Sequence, residues 1–312
     1  MNSPTLSIVI PVYNSEASLP PLIEQLSALL PELTEHFEII LVNDGSRDGS
    51  WGVMESLARQ YEAVCAINLM RNYGQHNALL CGIRVAQYEV IVTMDDDLQH
   101  PPEEIVPLLQ KLDEGYDVVY GTPQQQQHGF WRDMASQMTK LALQSSMGAE
   151  TARKVSAFRV FRTQVRNAFT TYQSPFVSID VLLTWATTRF TSVIVRHEPR
   201  RLGESNYTFS KLVRHAVTMM TGFSVLPLQL ASLIGFFFTL IGFIILLYVV
   251  GGYLLRGYSV PGFPFLASII AIFSGAQLFA LGIIGEYLAR MHFRMMEKPP
   301  YVVRTILGKD NP

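Results

Sequence analysis

Charge vanishes from two long stretches near the end of this sequence, and that absence constrains the chain more than any motif does. No Asp, Glu, Lys or Arg lies between Arg214 and Arg256, nor between Arg256 and Glu286. A helix needs about 20 apolar residues to cross the roughly 30 Å hydrocarbon core of a bilayer, and each stretch is long enough. The run FFFTLIGFIILLYVV is apolar on every face, whereas a core helix would keep an amphipathic period. Two membrane spans are therefore expected, both late in the chain. Composition agrees, since 49% hydrophobic and only 16% charged residues is apolar for a purely soluble protein.

Basic residues flank these stretches and set the expected orientation, because Lys and Arg are held on the cytoplasmic side. Arg196, Arg200, Arg201, Lys211 and Arg214 precede the first stretch; Arg290, Arg294, Lys298, Arg304 and Lys309 follow the second; only Arg256 lies between. Both termini are expected in the cytoplasm. The opening MNSPTLSIVIPVYN has no basic n-region and a strand-length apolar run, so it does not read as a signal peptide. Cys65 and Cys81 would then sit in a reducing compartment as ordinary packing residues.

The first two-thirds alternate in period. LSIVIPV, EIILVND, VCAINL and EVIVTMD are short and β-branched, and PPLIEQLSALLPEL and GQHNALLCGIRVAQ have helical spacing. Such alternation implies βαβ units, a mainly parallel sheet and an α/β fold. A helical run from about 130 to 144, and strands at SAFRVF and TSVIVRHE, complete the expected cytoplasmic domain, residues 1–205. Residues 206–226 read as a juxtamembrane amphipathic helix, 227–290 as the two-span hairpin and 291–312 as a basic tail.

Ligands on a parallel sheet gather at the carboxyl ends of its strands. Three strands end in chemically capable residues: Tyr13 and Asn14, then Asp44 to Ser46, then Asp95 to Asp97. In MDDDLQHPPEE, Asp95 and Asp97 can turn toward one divalent ion with Gln99 as a further oxygen ligand, as hard cations such as Mg²⁺ or Mn²⁺ prefer. The alternative is an acidic turn that caps the helix offered by PPEE. In NDGS, Asp44 can accept from a base N–H and Gly45 lets backbone approach a ligand; the alternative is a plain Asx turn. No GxGxxG follows a strand and no GxxxxGK[ST] occurs, which disfavours a dehydrogenase and a P-loop NTPase, and the seven histidines show no HExxH or similar metal spacing.

SIVIPVYN, VNDGS, RNYGQHNAL and DDDLQHPPEE, in this order and spacing, resemble glycosyltransferase family 2 with the GT-A fold. The two C-terminal spans, RLGESNY and GEYLAR narrow the resemblance to polyprenyl-phosphate glycosyltransferases. That group includes dolichol-phosphate mannose synthase, bacterial undecaprenyl-phosphate glucosyltransferases and the formamido-arabinose transferase of lipid A modification. The resemblance implies a nucleotide-diphosphate sugar donor, with a UDP-sugar favoured, a polyprenyl phosphate acceptor and a homo-oligomer, a tetramer among its forms. No nucleic-acid partner is expected.

Carried over residue by residue, the resemblance puts Pro11, Tyr13, Asn14 and Asp44 around the base, with Gly45 and Ser46 close by. The run Arg71 to Gln75, with Arg71, Asn72 and Gln75 foremost, and Asp96 would line the donor side, and Asp95, Asp97 and Gln99 would hold Mg²⁺ or Mn²⁺. Arg200, in an RxxGxS pattern with Ser205, would meet the acceptor phosphate. Asp97 and Arg200 would thus carry catalysis, with Arg132, Arg159 and Arg201 as further cations for phosphate. The chain departs from the pattern at Ala157, where relatives often have Asp, at the QQQQ loop, where they commonly have Arg, and at Asn206, where they commonly have Lys. The expected reaction is direct, inverting transfer from the donor to the lipid phosphate. A non-catalytic relative that binds nucleotide sugar or lipid phosphate, and a processive polysaccharide synthase, are the alternatives.

Overall fold

The computed structural model describes residues 4–123, 155–198, 226–256 and 262–308. Arg132, Arg200, Arg201, Ser205, the QQQQ loop, the 130–144 run and all but the last residue of the 206–226 segment lie outside the described residues.

The chain forms two units, Met1–Val213 with Glu297–Pro312, and Arg214–Met296. The first is built on β1 (Leu6–Val12), α1 (Leu19–Leu33), β2 (Phe37–Asn43), α2 (Ser50–Gln60), β3 (Val64–Leu69), α3 (Gln75–Val85) and β4 (Val90–Thr93). Every residue of β1 and β4 is buried, as are six of seven in β2. Strands covered on both faces read as continuous apolar runs, which is why these were visible in the sequence. In α1, Leu19, Leu22, Ile23, Leu26 and Leu30 recur at helical spacing and enter the same core. A Cβ on Gly82 of α3 would lie 2.4 Å from Val9 Cγ1, so this helix rests on β1 more closely than any side chain would allow.

After α4 (Ile105–Asp113) come β5 (Val118–Pro123), β6 (Arg159–Arg162), α5 (Ile179–Thr184) and β7 (Phe190–Val195). Including β8 (Val303–Leu307), the sheet order is β7-β5-β6-β4-β1-β2-β3-β8. Strand β1 pairs parallel with β2 on one side and β4 on the other. The order reverses there, opening a crevice at the carboxyl ends of these strands. Strand β6 runs antiparallel between β4 and β5, and β8 runs antiparallel to β3. Within the segment read as a basic tail, Val303–Leu307 is therefore an edge strand of the sheet.

The second unit contains two long helices, α6 (Leu226–Arg256, 31 residues) and α7 (Phe263–Met295, 33 residues). They meet where the Phe238 and Phe273 rings stand edge to face at 5.7 Å and a Cβ on Gly242 would lie 3.0 Å from Phe273. Among the described residues no helix is long and apolar enough to cross a membrane. The side chains of Ile245, Leu246, Val249 and Val250, in the most apolar part of α6, lie outside that description.

Candidate active site

The crevice is lined by the chain as it leaves β1, β2 and β4, and these three exits are tied to one another. Beyond β1, Asn14 takes a left-handed φ of 56°, which Asn tolerates better than most residues. Its N–H donates to Ser46 Oγ at 3.1 Å, and its Oδ1 accepts from the Arg47 N–H at 2.8 Å. This reciprocal clasp joins YN to NDGS.

Beyond β2, Asp44 turns inward and is 3% exposed. Its carboxylate accepts from the backbone N–H groups of Tyr73, at 2.6 Å, and Gly74, at 2.8 Å, just ahead of α3. Asn72 Nδ2 donates to the Asp44 carbonyl at 3.0 Å. Burial pushes the Asp44 carboxyl up to about 6, against the pull of those two N–H groups and of Arg71. Gly45 has φ +67°, and a Cβ there would meet Asn72 N at 2.5 Å. Its freedom thus lets NDGS press against RNYG, where a close approach to a ligand was expected. Asp44 likewise spends both carboxylate oxygens on the RNYG loop before any base arrives.

Beyond β4, the three aspartates part company. Asp96 accepts from the Tyr13 N–H at 3.3 Å and from Ser15 Oγ, and burial pushes its carboxyl up to about 6. Asp95 Oδ1 accepts from Gln75 Nε2 at 2.7 Å, and Asp97 Oδ1 accepts from the Gln99 N–H at 3.1 Å. Leu98 between them is held at φ 61°, a costly conformation for a bulky side chain, of the kind that gathers at functional sites. Tyr13, Asn14, Asp44, Gly45, Ser46, Asn72, Gln75, Asp95 and Asp96 are therefore linked through these hydrogen bonds and close contacts. Pro11 stays within β1, in register with Val42. Arg71 is exposed beside them, its guanidinium 4.4 Å from the Tyr73 ring centroid.

Gln99 faces a different neighbour. Its Nε2 donates to the Glu198 carbonyl at 3.4 Å, and the Glu198 N–H donates to the Gln99 carbonyl at 2.8 Å. Two more contacts extend this seam: Arg196 pairs with Glu104, and His197 Nδ1 lies 3.4 Å from Nε2 of His100. His100 stacks on Phe158 at 4.9 Å, and burial together with His197 pushes its imidazole down to about 4. The seam leads the chain into Pro199–Ser205, outside the described residues. It was invisible in the sequence because its halves are almost a hundred residues apart.

Arg159 corrects an expectation. It is 1% exposed, its Nε donates to Thr93 Oγ1 at 3.0 Å, and it forms an ion pair with Asp180, which also accepts from Tyr120 Oη at 3.1 Å. Its guanidinium is thus engaged by Thr93 and Asp180 within the core, deeper than the phosphate contact expected of it. Ala157, where the resemblance leads one to expect an acid, has a carbonyl that accepts from Thr93 Oγ1 at 2.8 Å. Ser15 joins these strand exits, its N–H donating to Ser50 Oγ at 2.8 Å and its Oγ to Asp96, and was not singled out beforehand. Ser15 had a signal, since it follows Tyr13 and Asn14 in the same strand exit.

Among the described residues no three His, Cys, Asp or Glu side chains gather to hold a metal. Mg²⁺ and Mn²⁺ do not require such a cage, because one or two carboxylates plus substrate phosphates suffice. Asp95 and Asp97 at one strand exit fit that demand; the structure directs the Gln99 amide nitrogen elsewhere.

Residues 7–174 match the family model for glycosyl transferase family 2, a span that holds every strand exit just described. This chain belongs to that family. It is a glycosyltransferase. Among its relatives is the undecaprenyl-phosphate 4-deoxy-4-formamido-L-arabinose transferase of Serratia proteamaculans, 34% identical over 307 residues, covering 97% of this chain and 94% of the relative. The enzyme of the same name from Pseudomonas aeruginosa is 35% identical, covering 97% of this chain and 90% of the relative. Among solved structures, mannosyl-3-phosphoglycerate synthase from Rubrobacter xylanophilus superposes with a TM-score of 0.53 at 18% identity, over 70% of this chain and 72% of that one. Glucosyl-3-phosphoglycerate synthase from Mycobacterium tuberculosis, in complex with Mn²⁺ and uridine-diphosphate-glucose, gives a TM-score of 0.50 at 18% identity, over 70% and 77%. At these identities the likeness shows the family's fold alone.

Proposed function

We propose that this glycosyltransferase moves a sugar from a nucleotide-diphosphate donor, UDP-linked in the favoured case, onto undecaprenyl phosphate or a related polyprenyl phosphate. One observation carries the reading. The likeness to relatives named for an undecaprenyl-phosphate acceptor does not stop with the matched domain but runs on through α6, α7 and β8.

The chain's own residues divide the work. Tyr13, Asn14, Ser46 and the loop held by Asp44 shape the nucleotide side, with Arg71, Asn72 and Gln75 toward the diphosphate. Asp95 and Asp97 would hold a divalent ion, Mg²⁺ or Mn²⁺, which supplies positive charge against the departing diphosphate. Arg200, Arg201, Arg132 and Ser205 are assigned to the lipid side, with Arg200 on the acceptor phosphate. The phosphate oxygen of the lipid attacks the anomeric carbon, the bond to the donor's diphosphate breaks, and configuration inverts. No side chain need act as base, because a phosphate monoester with its second pKa near 6 is already ionised at neutral pH. Ala157 is compatible with turnover on that account.

The proposal places α6 and α7 in a bacterial inner membrane with both ends cytoplasmic. At 1.5 Å rise per residue, 31 residues reach about 46 Å, more than the roughly 30 Å of hydrocarbon. The chain leaves the first unit before these helices and rejoins it as β8, so any crossing must occur an even number of times. Exposed Phe236, Phe237, Phe243 and Leu247 give α6 an apolar surface for lipid or for a homo-oligomer, a tetramer included. The test is incubation of the purified protein with undecaprenyl phosphate and a panel of UDP-, GDP- and dTDP-sugars, with lipid-linked product read by mass spectrometry. Product from at least one donor is expected; nucleotide binding without product from any donor would establish the non-catalytic alternative.

A further inference from the structure

Strand β8 lies outside the matched family domain, yet its contacts lead into the crevice. It pairs with the last four residues of β3: Ala66 with Leu307, Ile67 with Ile306, Asn68 with Thr305 and Leu69 with Val303, across an irregularity between Asn68 and Leu69. The next residue, Met70, is held at both backbone groups. Its N–H donates to the Val302 carbonyl at 2.9 Å, and its carbonyl accepts from Arg304 Nη2 at 3.2 Å.

Two routes run from this grip to the site. Along the chain, Met70 is followed by Arg71 and Asn72, which pack on Gly45, and by Tyr73 and Gly74, whose N–H groups enter the Asp44 carboxylate. Across the sheet, Asn68 Oδ1 accepts from Asn43 Nδ2 at 2.9 Å, Asn43 Oδ1 accepts from the Ser46 N–H at 3.1 Å, and Ser46 Oγ accepts from Asn14. Tyr301 adds a third hold, with the Arg84 guanidinium of α3 5.7 Å from its ring centroid. The segment ends at Gly308, with φ +79°, where a Cβ would lie 2.2 Å from the Val64 carbonyl oxygen, so only glycine lets the chain close against β3.

We propose that residues Tyr301–Gly308 are a positioning element for the donor pocket, fixing the Met70–Gly74 loop in the conformation that Asp44 receives. The inference rests on the reading of NDGS and RNYG as the nucleotide side. It predicts that substrate affinity on one side of the reaction is set by residues that touch neither substrate, 234 positions from the loop they hold. Pre-ordering a binding loop lowers the ordering cost charged to the ligand, so loosening it should raise the Michaelis constant for donor and spare that for lipid.

The experiment uses the full chain carrying Arg304→Ala, Arg304→Lys or Gly308→Ala. Amide hydrogen exchange is read at Met70–Gly74, and Michaelis constants are measured for undecaprenyl phosphate and for the donor found active. In Arg304→Ala and Gly308→Ala, exchange at Tyr73 and Gly74 should quicken and the donor constant rise roughly three- to thirtyfold, with the lipid constant and turnover number little changed. Arg304→Lys, which keeps a donor for the Met70 carbonyl, should restore most of the protection. Unchanged loop exchange in both Arg304→Ala and Gly308→Ala would overturn the proposed grip. Faster exchange with an unchanged donor constant would instead overturn the assignment of this loop to the nucleotide, and a parallel rise in both constants would mark a general loss of structure.

Discussion

Three adjacent aspartates show how little a residue type says without its surroundings. Asp96 accepts from Tyr13 and Ser15, Asp95 Oδ1 from Gln75, and Asp97 Oδ1 from the turn to Gln99, so the members of one DDD run have three different sets of neighbours. Asp97→Asn keeps an acceptor for that turn but loses the charge a hard ion needs. Transfer should fall by about two orders of magnitude or more with the thermal midpoint preserved, and chelation with EDTA should do the same to the wild type; turnover in metal-free buffer would remove the ion from the mechanism. Asp44 gives a second test. Its folded pKa of about 6 lies above the ordinary 3.8, so the folded state binds its proton more tightly. Its contribution to stability therefore falls as pH rises from about 4 to about 6 and is level above. The thermal midpoint of Asp44→Asn relative to wild type should accordingly improve between pH 4 and pH 7, and a difference independent of pH would refute the raised value. Sequence alone named Asp44, Gly45 and Asp95 to Asp97, because their positions after β-branched runs are a local signal. It did not foresee the burial of Arg159, because the partners that engage it, Thr93 and Asp180, are set by the fold.

Elements announce themselves to the extent that their environment is uniform. Strands β1, β2 and β4 are covered on both faces and stand out as apolar runs, whereas β8 alternates half-buried and exposed residues at the sheet edge and carries Arg304 and Thr305. Five residues of such a pattern between a proline pair and a charged end look like a tail, and only the pairing with β3 reveals a strand. Helix α3 illustrates the opposite case, a helix whose existence was legible but whose closeness to the sheet was not. Gly82 brings it onto Val9, with Val42 Cγ2 at 3.2 Å from the position a Cβ would take. Gly82→Ala should improve intrinsic helix propensity by up to about 1 kcal/mol yet lose about 1 to 3 kcal/mol by overpacking, for a net fall in stability. Because α3 begins at Gln75, the same shift should weaken donor binding. A thermal melt of the variant checks the sign, and a midpoint above that of wild type would mean that the helix backs away freely.

At the scale of the whole molecule, the chain runs out into α6 and α7 and back into the sheet it left. The proposed topology, with each helix crossing the bilayer once, predicts that positions 257–262 and the chain's ends are reached from opposite faces. A cysteine placed at Ser259 should react with an impermeant maleimide added to intact cells, while one at Thr305 should react only after lysis; labelling at Thr305 in intact cells would reverse the topology. The return of β8 also bears on how the protein is made. The ribosome finishes β3 long before it reaches Arg304, 234 residues past Met70, and at roughly 5 to 20 residues per second the wait is about ten seconds or longer. Throughout it β3, with Val64, Cys65, Ala66 and Ile67 at its heart, offers an unpaired edge to every other nascent chain nearby, the circumstance in which strands pair wrongly. The sheet closes only after α6 and α7 have emerged, so maturation of the first unit is timed by synthesis of the second.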